Sequence, residues 1–146
     1  KVHSFLREYE AVVYGNIKQD TGTIELPIAR NKVQRKKMCV CNDMSVAKKA
    51  ITHFEVVQRY KGFTHIRLKL ETGRTHQIRV HMAATGTPIA GDEVYGPKNV
   101  ITSLKGQCLH AKTIGFVHPI TSENLYFTSD LPDYFKKFLL TLKPNY

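Results

Sequence analysis

The sequence has no apolar run long enough to cross a membrane as a helix, which excludes a helical span within these residues. No stretch shows the basic, apolar and small-residue layout of a secretory signal. No repeat, low-complexity tract or obvious linker divides the 146 residues, a length that suits one domain with a core of its own. Acidic residues are scarce beside basic ones, with 12 Asp and Glu against 22 Lys and Arg and a formal charge of +10. That surplus concentrates polyanions at the surface and favours salt-sensitive binding, which points towards nucleic acid as the partner, and without a spanning run no membrane partner is expected. Cysteine is also sparse and odd in number, at three. Cys39 and Cys41 stand two apart on one face of an expected strand, where a disulfide would be strained. They read as reduced, half-buried thiols, and the expected compartment is the cytoplasm.

What is present is mostly strand. Arg7 to Val13 alternates, with Tyr9, Ala11 and Val13 on one face. Lys37 to Cys41, His53 to Val57 and Phe63 to Leu70 follow, the last with Ile66, Leu68 and Leu70 facing one way and Arg67 and Lys69 the other. Leu109 to Val117 and Leu125 to Thr128 complete the set, and Gly62, Gly73, Gly91, Gly96 and Gly106 mark turns. Two helices stand out. One spans about 75–85, with Thr75 as N-cap, Ile78 and Met82 as its buried stripe, Gly86 at the left-handed C′ position and Pro88 beyond. The other spans about 132–142, with Asp130 able to cap it, Tyr134, Phe135, Phe138, Leu139 and Leu142 inward and Lys136 and Lys137 outward. The expected fold class is α+β, a mainly antiparallel mixed sheet with flanking helices and a basic outer side.

The segment richest in chemistry runs from Leu70 through Glu71, Thr72, Gly73, Arg74, Thr75, His76, Gln77, Ile78, Arg79 and Val80 to His81. A strand ends, Gly73 permits a tight turn, and a helix starts that carries two arginines, two histidines and a glutamine. His76 and Arg79 fall on neighbouring parts of one helical face. Free N–H groups at a helix start, beside Arg74, suit a phosphate or a carboxylate. A solvated basic helix start is the plainer reading of the same residues.

This run, with Gly91-Asp92-Glu93-Val94-Tyr95-Gly96 after it, resembles the signature of RluA-type pseudouridine synthases. Arg7 to Gly15 resembles that family's tyrosine-bearing strand, and Gly22 to Arg30, with Leu26-Pro27-Ile28, its glycine-to-Pro-Ile turn. Ala50 to Phe54, Leu109-His110-Ala111 and Phe116 to Pro119 fall in family order, so the resemblance covers Arg7 to Phe135. It implies a catalytic core that isomerises uridine to pseudouridine in ribosomal or transfer RNA, with no metal and no organic cofactor. It also implies that Tyr9 packs against the uracil and is a candidate to accept the C5 proton, with simple sheet packing as the alternative. Arg79 matches the arginine that pairs with the family's catalytic aspartate. Arg74, His76 and Gln77 become candidates for contacting RNA, or else for capping and support.

The family's His-Arg-Leu-Asp segment, which carries the catalytic aspartate, has no counterpart before Arg7. Asp92 lies in a turn that the family uses structurally, and Asp20, Asp43, Asp130 and Asp133 lack the required context. Residues 1–146, which begin at Lys1 rather than Met, are therefore expected to be the C-terminal portion of a single catalytic domain, inactive alone. The runner-up is a non-catalytic RNA-binding module on the same fold. A truncated core is expected to expose a sheet edge and to self-associate. A metal hydrolase is disfavoured, because His76 and His81 lie about 140° apart around a helix and His110 and His118 have no carboxylate pattern nearby.

Overall fold

The computed structural model describes residues 4–98, 101, 104 and 106–145. Its main sheet has six strands: β1 (Ser4–Tyr14), β2 (Thr21–Glu25), β5 (Ile51–Tyr60), β6 (Phe63–Leu70), β7 (Leu109–Val117) and β8 (Asn124–Thr128). They lie in the order β2-β5-β6-β1-β7-β8, and every pairing is antiparallel. Strands β3 (Ile28–Arg30) and β4 (Met38–Val40) form a separate ribbon. Two helices complete the chain, α1 (Gln77–Ala84) and α2 (Asp133–Thr141).

Strand β6 shows how the sequence builds this sheet. Ile66, Leu68 and Leu70 are buried while Arg67 and Lys69 are exposed, the period of two expected of a strand with one covered face. In β1 the alternation fails at Ala11, Val12 and Val13, all fully buried, because the two faces of that strand are covered by different layers. Ala11 and Val13 pack with Ile66, Leu68, Ile78 and Met82 under α1. Val12 packs with Phe135 and Phe138 of α2 on the opposite face. Helix α1 is itself covered on its far side, where Val80 meets Ile28 and Ala50, with Met38, Val40 and Tyr95 packed around them. Each such buried side chain contributes about 1.5–3 kcal/mol.

Three sequence expectations need correction. The outer face of the sheet is not simply basic and solvated: α2 covers part of it, which buries Glu10 and His65 as a hydrogen-bonded pair at 2.7 Å. Thr75 does not cap α1. The helix begins at Gln77, and His76 before it sits in the left-handed region at φ 57°. Asp130 does not cap α2 either; Pro132 holds that position, and the Asp130 side chain stays in solvent 4.0 Å from Lys112 Nζ. The end of α1 is as expected. Gly86 at φ 84° places its N–H on the Ala83 carbonyl and that of Thr87 on the Met82 carbonyl, a Schellman closure. Cys39, Cys41 and Cys108 are free thiols, the first two half-buried.

Candidate functional site

Strand β1 and the first turn of α1 face each other across the end of β6. Tyr9 stands on β1 opposite Leu68 of β6 and Ala111 of β7, and packs at the margin of the core beneath α1. The β1–β7 register slips between Glu8 and Tyr9, and a bulge of this kind re-aims the side chains beside it. Arg79 enters from α1. Both residues line one cleft of about 460 Å³, shared with Arg7, Gly73, Arg74, His76, Gln107 and Leu109 and containing no Asp or Glu. A larger cavity of about 540 Å³ lies at the other end of α1, lined by Asn16, Phe54, Met82 and Thr85 among others, with Lys18 its sole ionisable residue. The smaller one holds most of the candidate site residues.

The turn after α1 fixes Arg79. Its Nε and Nη2 donate to the two carboxylate oxygens of Asp92 at 2.8 and 3.0 Å, a bidentate pair in which Asp92 is fully buried. Asp92 Oδ1 also accepts the backbone N–H groups of Val94 and Tyr95. Burial by itself would raise the Asp92 carboxyl. The Arg79 guanidinium and these amides override it and hold the carboxyl below the usual carboxylate range. Hydrogen bonding to Asp92 in turn raises Arg79. The guanidinium lies 5.0 Å from the centre of the Tyr95 ring, and its Nη1 bonds to no other described residue.

His76 leans on the same tyrosine. Its Nδ1 is 2.7 Å from the Tyr95 hydroxyl, whose oxygen accepts the Met38 N–H at 3.0 Å. One phenol thus ties the helix start, the β3–β4 ribbon and the Asp92 turn together, and holds His76 in its left-handed conformation. Burial, followed by the positive charge of Arg79, pushes His76 below the ordinary histidine value. A neutral ring at the cleft edge follows.

Gln77, a candidate for RNA contact or for support, keeps its polar groups inside the chain. It is 2% exposed. Its carbonyl accepts the Thr72 hydroxyl and the Arg74 N–H, and its amide donates to Ile51 O and Thr52 Oγ1. With both its amide protons and its oxygen spent inside the chain, it is a strut that joins the cleft floor to β5. His81 extends this network, its Nδ1 on Thr52 Oγ1 at 2.8 Å and its Nε2 donating to Leu26 O at 2.9 Å. Burial lowers its pKa. Arg74 donates its Nε to Lys49 O and lines the cleft.

The structure therefore brings Tyr9, Arg74, His76, Gln77 and Arg79 together around one cavity, with Gln77 almost fully buried in its wall. The sequence reading missed Arg7 and Gln107 in the lining. Arg7 was detectable, because it stands two residues before Tyr9 on the same strand face.

Comparisons with known proteins show the family. Residues 2–84, more than half of the chain, match a family model described as RNA pseudouridylate synthase. The uncharacterized RNA pseudouridine synthase YlyB of Bacillus subtilis is 48% identical over 139 residues, which covers 95% of this chain and 45% of that protein. The ribosomal large subunit pseudouridine synthase D of Haemophilus influenzae is 43% identical, over 96% of this chain and 46% of its own length. Among solved structures, human RNA pseudouridylate synthase domain containing 1 superposes with a TM-score of 0.76 at 29% identity, covering 96% of this chain and 60% of that one. The chain spans less than half the length of these two bacterial relatives.

Proposed function

The chain belongs to the RNA pseudouridylate synthase family, and from that premise we propose that the β1–α1 cleft is one side of a pocket that receives a uridine extruded from RNA. The reaction is the isomerisation of that uridine to pseudouridine. The N1–C1′ bond breaks, the uracil turns while held, C5 bonds to C1′, the C5 proton leaves and N1 gains one, so the atoms balance without an oxidant or a second substrate. A base must leave its stack to be reached, and the pocket has to supply an aromatic wall and cations along the backbone path. Tyr9 is that wall, and its phenol oxygen is the group assigned to take the C5 proton. Arg79 lines the cleft, and Asp92 holds Nε and Nη2 of its fork while Nη1 bonds to no described residue. That free edge pairs the catalytic carboxylate, which residues outside this chain supply.

The observation that carries this reading is the placement of Tyr9 and Arg79 on one cavity whose lining holds no acidic residue. The 146 residues alone bind uridine-bearing RNA and do not turn it over. Incubation with RNA tritiated at uridine C5 tests this: no sustained tritium release is expected from this chain, and steady release would overturn the division of roles. Ribosomal RNA is the proposed substrate, supported by the naming of the Haemophilus relative, with transfer RNA second. The proposed compartment is the cytoplasm, in keeping with three unpaired thiols. Self-association is also proposed, through the edge strand β8, where Tyr126 and Phe127 are each more than half exposed.

A further inference from the structure

Arg7 reaches the cleft from β1, two residues before Tyr9 and on the same face. Its Nη2 donates to the Glu71 carbonyl at 3.2 Å, where β6 ends. Its Nη1 occupies the space that a Cβ on Gly73 would fill, so the missing side chain of Gly73 is what lets the guanidinium lie across this turn. Its Nε is buried and has no hydrogen-bond partner, the one such side-chain atom found among the described residues. A buried donor left unmet is costly, and a cation without a counter-charge adds to that cost.

The carboxylates nearest in sequence and register are all engaged elsewhere. Glu8 faces Lys69 at 4.0 Å, Glu10 is bound to His65 at 2.7 Å, and the Glu71 carboxylate is bound to His53. Arg79 has its acid in Asp92, while Arg7 has none. The cleft is thus an anion site short of its anion, and an RNA nucleotide brings a phosphate together with its base. Resting on the reading of the cleft as a uridine pocket, we propose that Arg7 binds the backbone phosphate beside the uridine that Tyr9 receives. Arrival of the phosphate draws the guanidinium off the turn, gives Nε an acceptor, and aligns the nucleotide between Arg7 and Arg79.

The test is a thermodynamic cycle on the full 146-residue chain, with a uridine-bearing RNA stem-loop and copies carrying one neutral methylphosphonate at each loop position in turn. For the wild type, one position next to the uridine is expected to weaken binding by about tenfold, the worth of a charge-assisted contact. Arg7→Gln should weaken the unmodified RNA by a similar factor and abolish the effect at that position alone. Arg7→Lys keeps the charge but not the fork, and should fall between. Gly73→Ala should keep the effect at that position and bind at least as tightly as the wild type, because the new methyl displaces only the flexible end of the Arg7 side chain from the turn that the phosphate draws it off. Arg67→Gln, which removes an exposed charge on the opposite sheet face, should leave the cycle unchanged.

Additive losses for Arg7→Gln at every phosphate, or loss of the position effect in Gly73→Ala, would overturn the assignment. If Tyr9→Ala still removes base-dependent affinity in that case, the uridine pocket stands and the Arg7 site falls. If replacing the uridine changes nothing in any variant, both fall.

Discussion

Arg79 grips Asp92 through both Nε and Nη2 while Asp92 is wholly buried and Arg79 retains 13% side-chain exposure. The turn that carries Asp92 is therefore the part of the chain that decides where Arg79 points. Asp92→Asn keeps the volume but removes the charge, leaving a nearly buried cation unpaired. It should cost about 3 kcal/mol, because a broken buried pair loses more than the pair was worth. Urea denaturation measures it. A loss below about 0.5 kcal/mol, within the range of an ordinary surface substitution, would mean that the pair is decorative.

Acid should weaken the fold through histidines that are buried neutral. Burial lowers the pKa of His65 and of His81 below the ordinary histidine value of 6.5. Below 6.5 the unfolded chain takes up these protons before the folded chain does, so it binds more of them in that window. Stability therefore falls as pH drops from 6.5 towards the depressed folded values, levels off beneath them, and is insensitive to these groups above 6.5. Folding free energies measured across pH 5 to 8 check the sign, and a rise in stability on acidification through this window would contradict it.

Gln77→Leu separates a strut from an RNA contact. The variant strands the Ile51 carbonyl, the Thr72 hydroxyl and the Arg74 N–H in a buried setting, at a cost of about 3 kcal/mol. The protein that remains folded should bind RNA close to normally. A selective loss of RNA affinity at unchanged stability would restore Gln77 as a direct contact.

Tyr9 should act through its ring. Tyr9→Ala is expected to lower affinity for a uridine-bearing RNA by about tenfold, in the range of one lost base-stacking platform, while Tyr9→Phe binds as the wild type does. Fluorescence anisotropy with labelled RNA distinguishes the two. Equal losses in both variants would point to the hydroxyl instead.

The β8 edge should carry the self-association. Sedimentation at rising concentration is expected to show reversible dimers, and Phe127→Lys, a charge placed on an exposed edge residue, should shift them to monomers. A monomer at every concentration counts against edge pairing.

Much of this was legible in the residues, and the rest was hidden for physical reasons. Strand β6 was readable because its alternation is strict, and α2 because Phe135 and Phe138 recur at helical spacing above a polar face. The α1 terminus was readable because Gly86 closes it locally. Its start was not. His76 is held by Tyr95, 19 residues away, and a left-handed residue other than glycine is uncommon enough, even for histidine, that the local sequence does not announce it. Burial of Glu10 and His65 was likewise invisible, because on β1 and β6 alone they occupy the polar face, and only α2 covers them. Motif identity brought Tyr9 and Arg79 into one pocket. It left out Arg7, whose meaning depends on the empty space at Gly73.

The central claim is that the Tyr9 ring forms a wall for an extruded uracil opposite Arg79. Intermolecular nuclear Overhauser effects between the chain and a stem-loop RNA with one unpaired uridine test it most directly. Contacts from the Tyr9 ring protons to uracil H5 and H6, lost in Tyr9→Ala with the fold intact, are the predicted result. A uracil that stays stacked in its RNA, or that contacts residues on the α2 face, would contradict it.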